Sequence, residues 1–286
     1  MKKIGIMKNP KLALASDISE RLEKVLTAEG HLVWACSTAE EEVARSQMAD
    51  TDVVISVGGD GTILRVARTV IPETVPILGV NLGKLGFIAE LSEPAEAIQK
   101  VSIFLSGENC WIDERAMLQV EIVCKGDSPD RIGEARCSNP YHALNEVVVG
   151  RGAVCRLVRV AVSIGGTPLT TYKADGVIVA TATGSTGYSL ATGGPIIYPQ
   201  SQELLLNPIS PHLCFRNALV LDPSTVLMLD ASSDHGIIAC IDGQVEIGLG
   251  SEDMVRVQRS PHVARFLRAG PPSYYYETLV RRLSSA

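Results

Sequence analysis

The chain carries little excess charge: 26 Lys and Arg against 32 Asp and Glu leave a formal net charge of −6 over 286 residues. That balance gives no general attraction to nucleic acid or to an anionic membrane, so neither is an expected partner. An anionic ligand would need local Lys or Arg, or a divalent cation. The seven cysteines are odd in number and never spaced Cys-x-x-Cys, and the five histidines include no His-Glu-x-x-His. Structural zinc and a disulfide framework are therefore not expected, and a reducing compartment is favoured. Long apolar runs are missing as well. Met1–Lys8 has basic residues but an apolar run too brief for a signal peptide, and no stretch is long enough to span a bilayer. The chain reads as cytoplasmic. Internal repeats and low-complexity tracts are absent. What remains is ordinary globular material, 46% hydrophobic and 20% charged, long enough for two domains.

The most informative stretch is Val53-Val54-Ile55-Ser56-Val57-Gly58-Gly59-Asp60-Gly61-Thr62. Its β-branched apolar run predicts a buried strand, and Thr62–Arg68 then takes up a helical period. A glycine turn between strand and helix brings bare backbone close to a ligand and aims helix amides at anions. Asp60, flanked by glycine on both sides, should face whatever the loop binds, in an acid/base or metal-contacting role beside a nucleotide. For Asp-Gly alone, a tight turn with a helix-capping Asp is the simpler reading. Two other phosphate loops do not fit. The turn has no Gly-x-Gly-x-x-Gly, and Gly79–Leu85 has the wrong spacing and no Ser or Thr for a P-loop.

Strands are expected at 4–7, 32–35, 53–57 and 76–80. Helices lie between them: one with Ile18, Leu22, Val25 and Leu26 on one face ending at Gly30, one opened by a Ser37–Glu40 capping box, and one stopped near Pro72. A further helix starts at Pro94 and runs to about Leu105. This alternation implies a parallel sheet wrapped on both faces, with ligands at the carboxyl ends of its strands. After Trp111 period-two strands take over: 117–123, 144–149, 158–164 with a Gly165-Gly166 hairpin turn, 168–172, 177–181, 226–231, 237–241 and 245–249. The polar stretch 125–140 reads as an exposed loop. The tail returns to helix at 276–283, too short to be stable alone, so it should pack back on the first domain. The fold class is thus an α/β nucleotide-binding domain with a parallel sheet, 1–110 plus 265–286, and an all-β, sandwich-like domain, 111–264.

Within the β domain, Asn145-Glu146 interrupts an apolar strand, and two polar residues in succession put one on the inner face. Lys173-Ala174-Asp175-Gly176 places a base and an acid just before a buried strand. Thr181–Pro195 is nearly all small residues, hydroxyls and glycines with one ring, Tyr188. Such a surface lets a flat polar ligand lie against backbone.

Together, Gly58-Gly59-Asp60-Gly61, Asn81–Phe87, Asn145-Glu146, Asp175-Gly176 and Gly184-Ser185-Thr186 resemble the motifs of bacterial NAD kinases, in that family's order and spacing. Gly193-Gly194-Pro195-Ile196 and Asp242-Gly243-Gln244 extend the match, which covers essentially the whole chain. The first motif alone is shared with phosphofructokinases and diacylglycerol-type lipid kinases. The resemblance implies a phosphotransferase with an alcohol group as acceptor, making NADP from NAD and ATP. It implies Asp60 as base on the adenosine ribose 2′-hydroxyl, with Gly61 and Arg65 along the NAD phosphates. Asn145 and Glu146 would bind adenosine, with Thr186 at the adenine and Tyr188 beside it. Asp175 and the Gly187 backbone would meet the nicotinamide end. Arg156, Lys173, Ser189, Leu190, Ala191 and Gln244 match further positions lining the family's site. The chain departs from the pattern at Ala182, Gly187 and Ala191-Thr192, where the family usually has Pro, Ala and Ser-Ala.

Phosphoryl transfer needs a positioned nucleophile, neutralised phosphate charge and one proton acceptor. With few Lys or Arg near the loop, a divalent metal cation, Mg²⁺ on ATP, must supply much of the positive charge, and no protein metal site is expected. The alternatives are a lipid kinase, for which no basic amphipathic helix is present, and a non-catalytic NAD(P)-binding regulator. Edge strands in a sandwich of this size need covering. With the family's habit, that implies a homotetramer or homodimer.

Overall fold

The structure is a computed structural model describing residues 1–83, 86–91, 94–107, 110–124, 139–152, 157–212 and 215–284. The chain divides into two compact units, residues 1–114 with 264–286, and residues 115–263.

The first unit alternates strand and helix: β1 (Lys3–Lys8), α1 (Ala13–Ala28), β2 (Leu32–Ser37), α2 (Glu41–Gln47), β3 (Val53–Gly58), α3 (Asp60–Thr69), β4 (Ile77–Asn81) and α4 (Pro94–Ser106). The strands lie in the order β2-β1-β3-β4, every pair parallel. All of β3 and β4 is buried, as continuous apolar runs in a sheet covered on both faces should be. Ile4, Ile6, Val53, Ile55, Val57, Leu78 and Val80 pack against the Ile18–Leu22–Leu26 stripe of α1 and against Val101 and Phe104 of α4. Each such side chain contributes about 1.5–3 kcal/mol by leaving water.

Helix α1 ends as its sequence predicts. Gly30 takes φ +86° and donates to the Thr27 carbonyl, while His31 N–H donates to the Leu26 carbonyl, a Schellman closure. The expected capping box forms only in part. Glu40 accepts the Ser37 N–H at 2.8 Å, but Ser37 Oγ accepts from Ala39, and the helix begins one residue after Glu40.

The second unit contains β5 (Trp111–Val123, from Arg115 onward), β6 (Tyr141–Ala143), β7 (Glu146–Arg151), β8 (Val158–Ile164), β9 (Thr167–Ala174), β10 (Gly176–Ala180), a 3₁₀ turn (Gly184–Thr186), α5 (Tyr188–Ala191), β11 (Leu204–Ile209), β12 (Leu219–Leu221), β13 (Leu227–Ser232), β14 (Ile237–Ile241), β15 (Val245–Leu249) and the first part of β16 (Met254–Arg268). One antiparallel sheet runs β12-β11-β10-β7-β14-β15. The other includes β16-β13-β8-β9, also antiparallel. Val147, Val149, Val177 and Val179 from one interleave with Val158, Val160, Tyr172, Leu227 and Leu229 from the other. The end of β16 returns to the first unit, where Phe266 pairs with Ile77 of β4, and α6 (Tyr274–Leu283) follows.

Four strands escape the periodic reading: β6, β11, β12 and β16. In β16 the buried positions are Val255 and Val257, then Ser260, Ala264, Phe266 and Arg268. The alternation changes phase midway, so no single period-two pattern spans it. Of the described cysteines, Cys124 is disulfide-bonded, and Cys36, Cys110 and Cys240 are free. The stretch 125–138 lies outside the described residues.

Candidate active site

Asp60 opens α3 immediately after β3. Glycine is required two residues before it, because a Cβ on Gly58 would overlap the Thr62 side chain. The Asp60 carboxylate does not cap its own helix. It reaches instead to the segment after β4, where Oδ2 accepts the Phe87 N–H at 2.5 Å and Oδ1 faces the Ile88 N–H at 3.4 Å. Any Cβ on Gly86 would overlap that carboxylate. The helix-cap reading is thereby replaced. The side chain is oriented by amides 27 and 28 residues away and is half-buried. Gly61 is exposed beside it, and Arg65 lies half-buried one turn along α3.

That receiving segment is itself anchored. Glu90 and Leu91 N–H groups donate to the Gly79 carbonyl, Asn81 N–H donates to Leu91, and Leu82 N–H donates to Gly58. A side chain at Gly79 would press on the Ala89 backbone, so glycine there lets the segment cross β4 closely.

In the β unit, strand pairing stops at Leu144-Asn145 and resumes at Glu146. Asp242 holds this break open. Its buried carboxylate accepts the N–H groups of Leu144 at 3.1 Å, Asn145 at 2.8 Å and Glu146 at 3.2 Å. The Gly184–Tyr188 turn packs onto the same dipeptide. Thr181 Oγ1 donates to the Leu144 carbonyl at 2.6 Å and Thr181 N–H to the Asn145 carbonyl at 2.9 Å. A Cβ on Gly184 would overlap the Asn145 backbone, and one on Gly187 would come within 2.9 Å of Glu146 Oε2. The family's usual Ala at 187 would therefore crowd the carboxylate here.

Two oxygens at this junction, Asn145 Oδ1 and Glu146 Oε2, are buried without a hydrogen-bond partner. Burial first, then the Asp242 carboxylate, pushes the Glu146 pKa up to about 7, against a stabilising hydrogen bond from the Tyr188 amide. Orphaned buried acceptors are costly and call for a donor from outside the fold.

The remaining sequence-predicted residues divide. Asp175, between β9 and β10, faces Arg151 at 3.3 Å. Lys173 is exposed on β9, and Gln244 is half-buried in the turn between β14 and β15. Thr186 and Leu190 are half-buried, and Tyr188 and Ala191 are exposed. The hydroxyls do not all point outward. Ser185 Oγ donates to the Ala182 carbonyl and accepts from Ile197 N–H, and fully buried Ser189 accepts from Asn207 Nδ2 at 3.2 Å. These two hold the loop's shape. Arg156 lies outside the described residues, as do Lys84 and Leu85 of the Asn81–Phe87 motif. Sequence reasoning missed the contributions of Gly86, Asn207 and Asp242. Gly86 and Asp242 both stand in motifs of the family, but nothing local ties Gly86 to Asp60 or Asp242 to residues about a hundred positions away.

A carboxylate in a strand-to-helix glycine loop of a parallel sheet, and a β unit presenting buried, unpaired oxygens beside a glycine-rich turn, are parts of a nucleotide-binding enzyme. Comparison with known proteins narrows the class. Residues 2–109 match the ATP-NAD kinase N-terminal domain and residues 144–269 the ATP-NAD kinase C-terminal domain. An NAD kinase of Dehalococcoides mccartyi (strain CBDB1) is 40% identical over 282 residues, 99% of this chain and 96% of the relative. One from Chloroflexus aggregans is 39% identical over 283 residues, 99% of each chain. The chain belongs to the NAD kinase family and is a phosphotransferase. Yeast NADH kinase complexed with NADH shares the fold at TM-score 0.82 and 23% identity, covering 99% of this chain and 88% of that one. An Archaeoglobus fulgidus NAD kinase in complex with ATP does so at 0.77 and 23%, covering 99% of each. Among the described residues, no helix is long and apolar enough to cross a membrane.

Proposed function

We propose that this chain transfers the terminal phosphoryl group of ATP to the 2′-hydroxyl of the adenosine ribose of NAD, yielding NADP and ADP. Asp60 accepts the hydroxyl proton as the ribose oxygen bonds to phosphorus and the bond to the ADP oxygen breaks. Gly61 and Arg65 serve the NAD phosphates. In the β unit, Asn145 and Glu146 take the adenosine, with Thr186 and Tyr188 beside it, and Asp175 and Gly187 take the nicotinamide end. Lys173, Leu190, Ala191 and Gln244 complete the lining, and Ser189 holds the loop from beneath; Arg156, outside the described residues, is assigned to the lining by the family resemblance alone. The unit of residues 1–114 with 264–286 is the catalytic α/β domain, and the unit of residues 115–263 carries the adenosine and nicotinamide contacts.

The observation that carries this reading is the pair of buried, unpartnered oxygens at Asn145 and Glu146. A nucleoside has hydroxyl and amino donors of the kind such acceptors need. Mg²⁺ enters as part of the ATP substrate. Among the described residues no cluster of three or more His, Cys, Asp or Glu could hold a metal ion. The working form is a homotetramer or homodimer in the cytoplasm.

Replacing Asp60 by Asn tests the assignment. Asn keeps a carbonyl for the Phe87 amide but cannot accept the ribose proton. With Mg-ATP and NAD as substrates, kcat for NADP formation should fall about 10²–10⁴-fold. Thermal stability and NAD affinity should change far less. A folded Asp60→Asn protein working at close to the normal rate would end the base assignment.

A further inference from the structure

We infer that Arg268, at the end of β16, is the positioning residue that sets the Asp60 carboxylate for proton transfer. The inference rests on the reading of Asp60 as base. Ile88 is the residue through which Arg268 acts. Its N–H faces Asp60 Oδ1, and its carbonyl accepts a 2.7 Å hydrogen bond from Arg268 Nη1. Phe87, which makes the shorter contact to Asp60, is its immediate neighbour. A guanidinium therefore grips the peptide segment whose amides orient the carboxylate.

The guanidinium is held in turn from two sides. Nε donates to Asp113 Oδ2 at 3.2 Å, and Nη1 also meets Glu90 Oε2 at 3.2 Å. The other Glu90 oxygen accepts the Ala269 N–H at 3.1 Å, so Glu90 ties Arg268 and its neighbour to the same segment. The Arg268 guanidinium also lies 5.3 Å from the Phe266 ring centre. The Asp113 side chain is 2% exposed, Arg268 11% and Glu90 13%.

A buried ion pair is a poor way to gain stability, since desolvation offsets most of the attraction. Its use here is geometric. Only the planar fork of Arg reaches Asp113 through one nitrogen while gripping Ile88 and Glu90 through another, and a lysine ammonium is a single point. Between the Gly79 carbonyl, which holds Glu90 and Leu91, and Gly86, which lies against Asp60, Arg268 grips the segment by its backbone at Ile88. Shifting those amides by 1 Å would lose both contacts to Asp60. Displacements of that size cost up to about 10² in rate when they misplace a reacting group.

A four-cornered comparison in the full chain tests this: wild type, Arg268→Lys, Asp60→Asn and the double variant, each assayed for NADP formation from Mg-ATP and NAD. Arg268→Lys should lower kcat about tenfold, with KM for NAD changed by less than about threefold. In the Asp60→Asn background the same replacement should change kcat by less than about twofold, because the group it positions is gone. Amide exchange at Phe87 and Ile88 should accelerate in Arg268→Lys while the β3 amides stay protected. If the lysine variant does not fold, Glu90→Gln carries the test, with about a threefold fall in kcat at unchanged KM. Equal losses in both backgrounds would mark a general structural effect and overturn the proposal. So would wild-type kcat in Arg268→Lys, or in Glu90→Gln where the lysine variant does not fold. Wild-type kcat in Asp60→Asn alone would instead remove the base assignment, and this inference with it. A large loss there beside an unaffected Arg268→Lys would remove only the inference.

Discussion

Replacing Glu146 by Gln should stabilise the folded protein at pH 8 while weakening its use of NAD. Burial, with the Asp242 charge behind it, raises the Glu146 pKa from 4.5 to about 7 in the folded chain. Between those values the folded state keeps a proton that the unfolded chain has released. Stability contributed by this group is therefore full below about pH 4.5, falls as pH rises toward 7, and is constant above. At about 1.36 kcal/mol per pH unit, the ionised carboxylate weakens the fold by roughly 3 kcal/mol at pH 8. Gln matches the shape, keeps an acceptor for the Tyr188 amide and carries no charge to desolvate. Glu146→Gln should thus exceed wild type by about 2–3 kcal/mol at pH 8, and the two should converge near pH 4.5. Thermal unfolding followed by circular dichroism from pH 4.5 to 8 reads this as a Tm gap of about 3–5 °C that closes on acidification. Activity should move the opposite way, with KM for NAD raised about tenfold by loss of a charged acceptor. A Tm difference independent of pH across that range would refute the argument.

Gly86→Ala places a methyl group where the Asp60 carboxylate lies, so kcat should drop at least about tenfold. Overpacking at one position should cost only about 1–3 kcal/mol in urea unfolding, and a variant with normal kcat would show that the carboxylate moves freely. Light scattering at micromolar concentration should return two or four times the 30.6 kDa chain mass; a monomer mass would count against the proposed assembly.

Much of the α/β unit could be read directly because its signals are local. The apolar run of β3, the glycines that end it and the helical period of α3 are neighbours in the chain, and each restricts its own backbone. The same holds for Gly30 closing α1, for Gly165-Gly166 turning β8 into β9, and for the polar pair that breaks the strand at Asn145-Glu146. Where burial does not follow one period, as in β16 with its change of phase, the pattern became invisible and the strand was missed.

The site itself is mixed in the same way. Composition and local spacing placed Asp60 in a glycine loop and picked out Asn145 and Glu146 as polar residues out of place in a strand. What each carboxylate experiences was decided elsewhere. Asp60 is oriented by amides 27 and 28 residues later, and those by a guanidinium 180 residues beyond Ile88. Asp242 reaches back 96 to 98 residues to shape the break, and its charge adds to burial in raising the pKa of Glu146. Ser185 and Ser189 look like ligand-reading hydroxyls, but strand packing turned them inward. Side-chain type and local backbone preference depend on a few neighbouring residues and are written along the chain. Orientation, burial and electrostatic environment depend on which distant segments meet, and only the folded structure decides that.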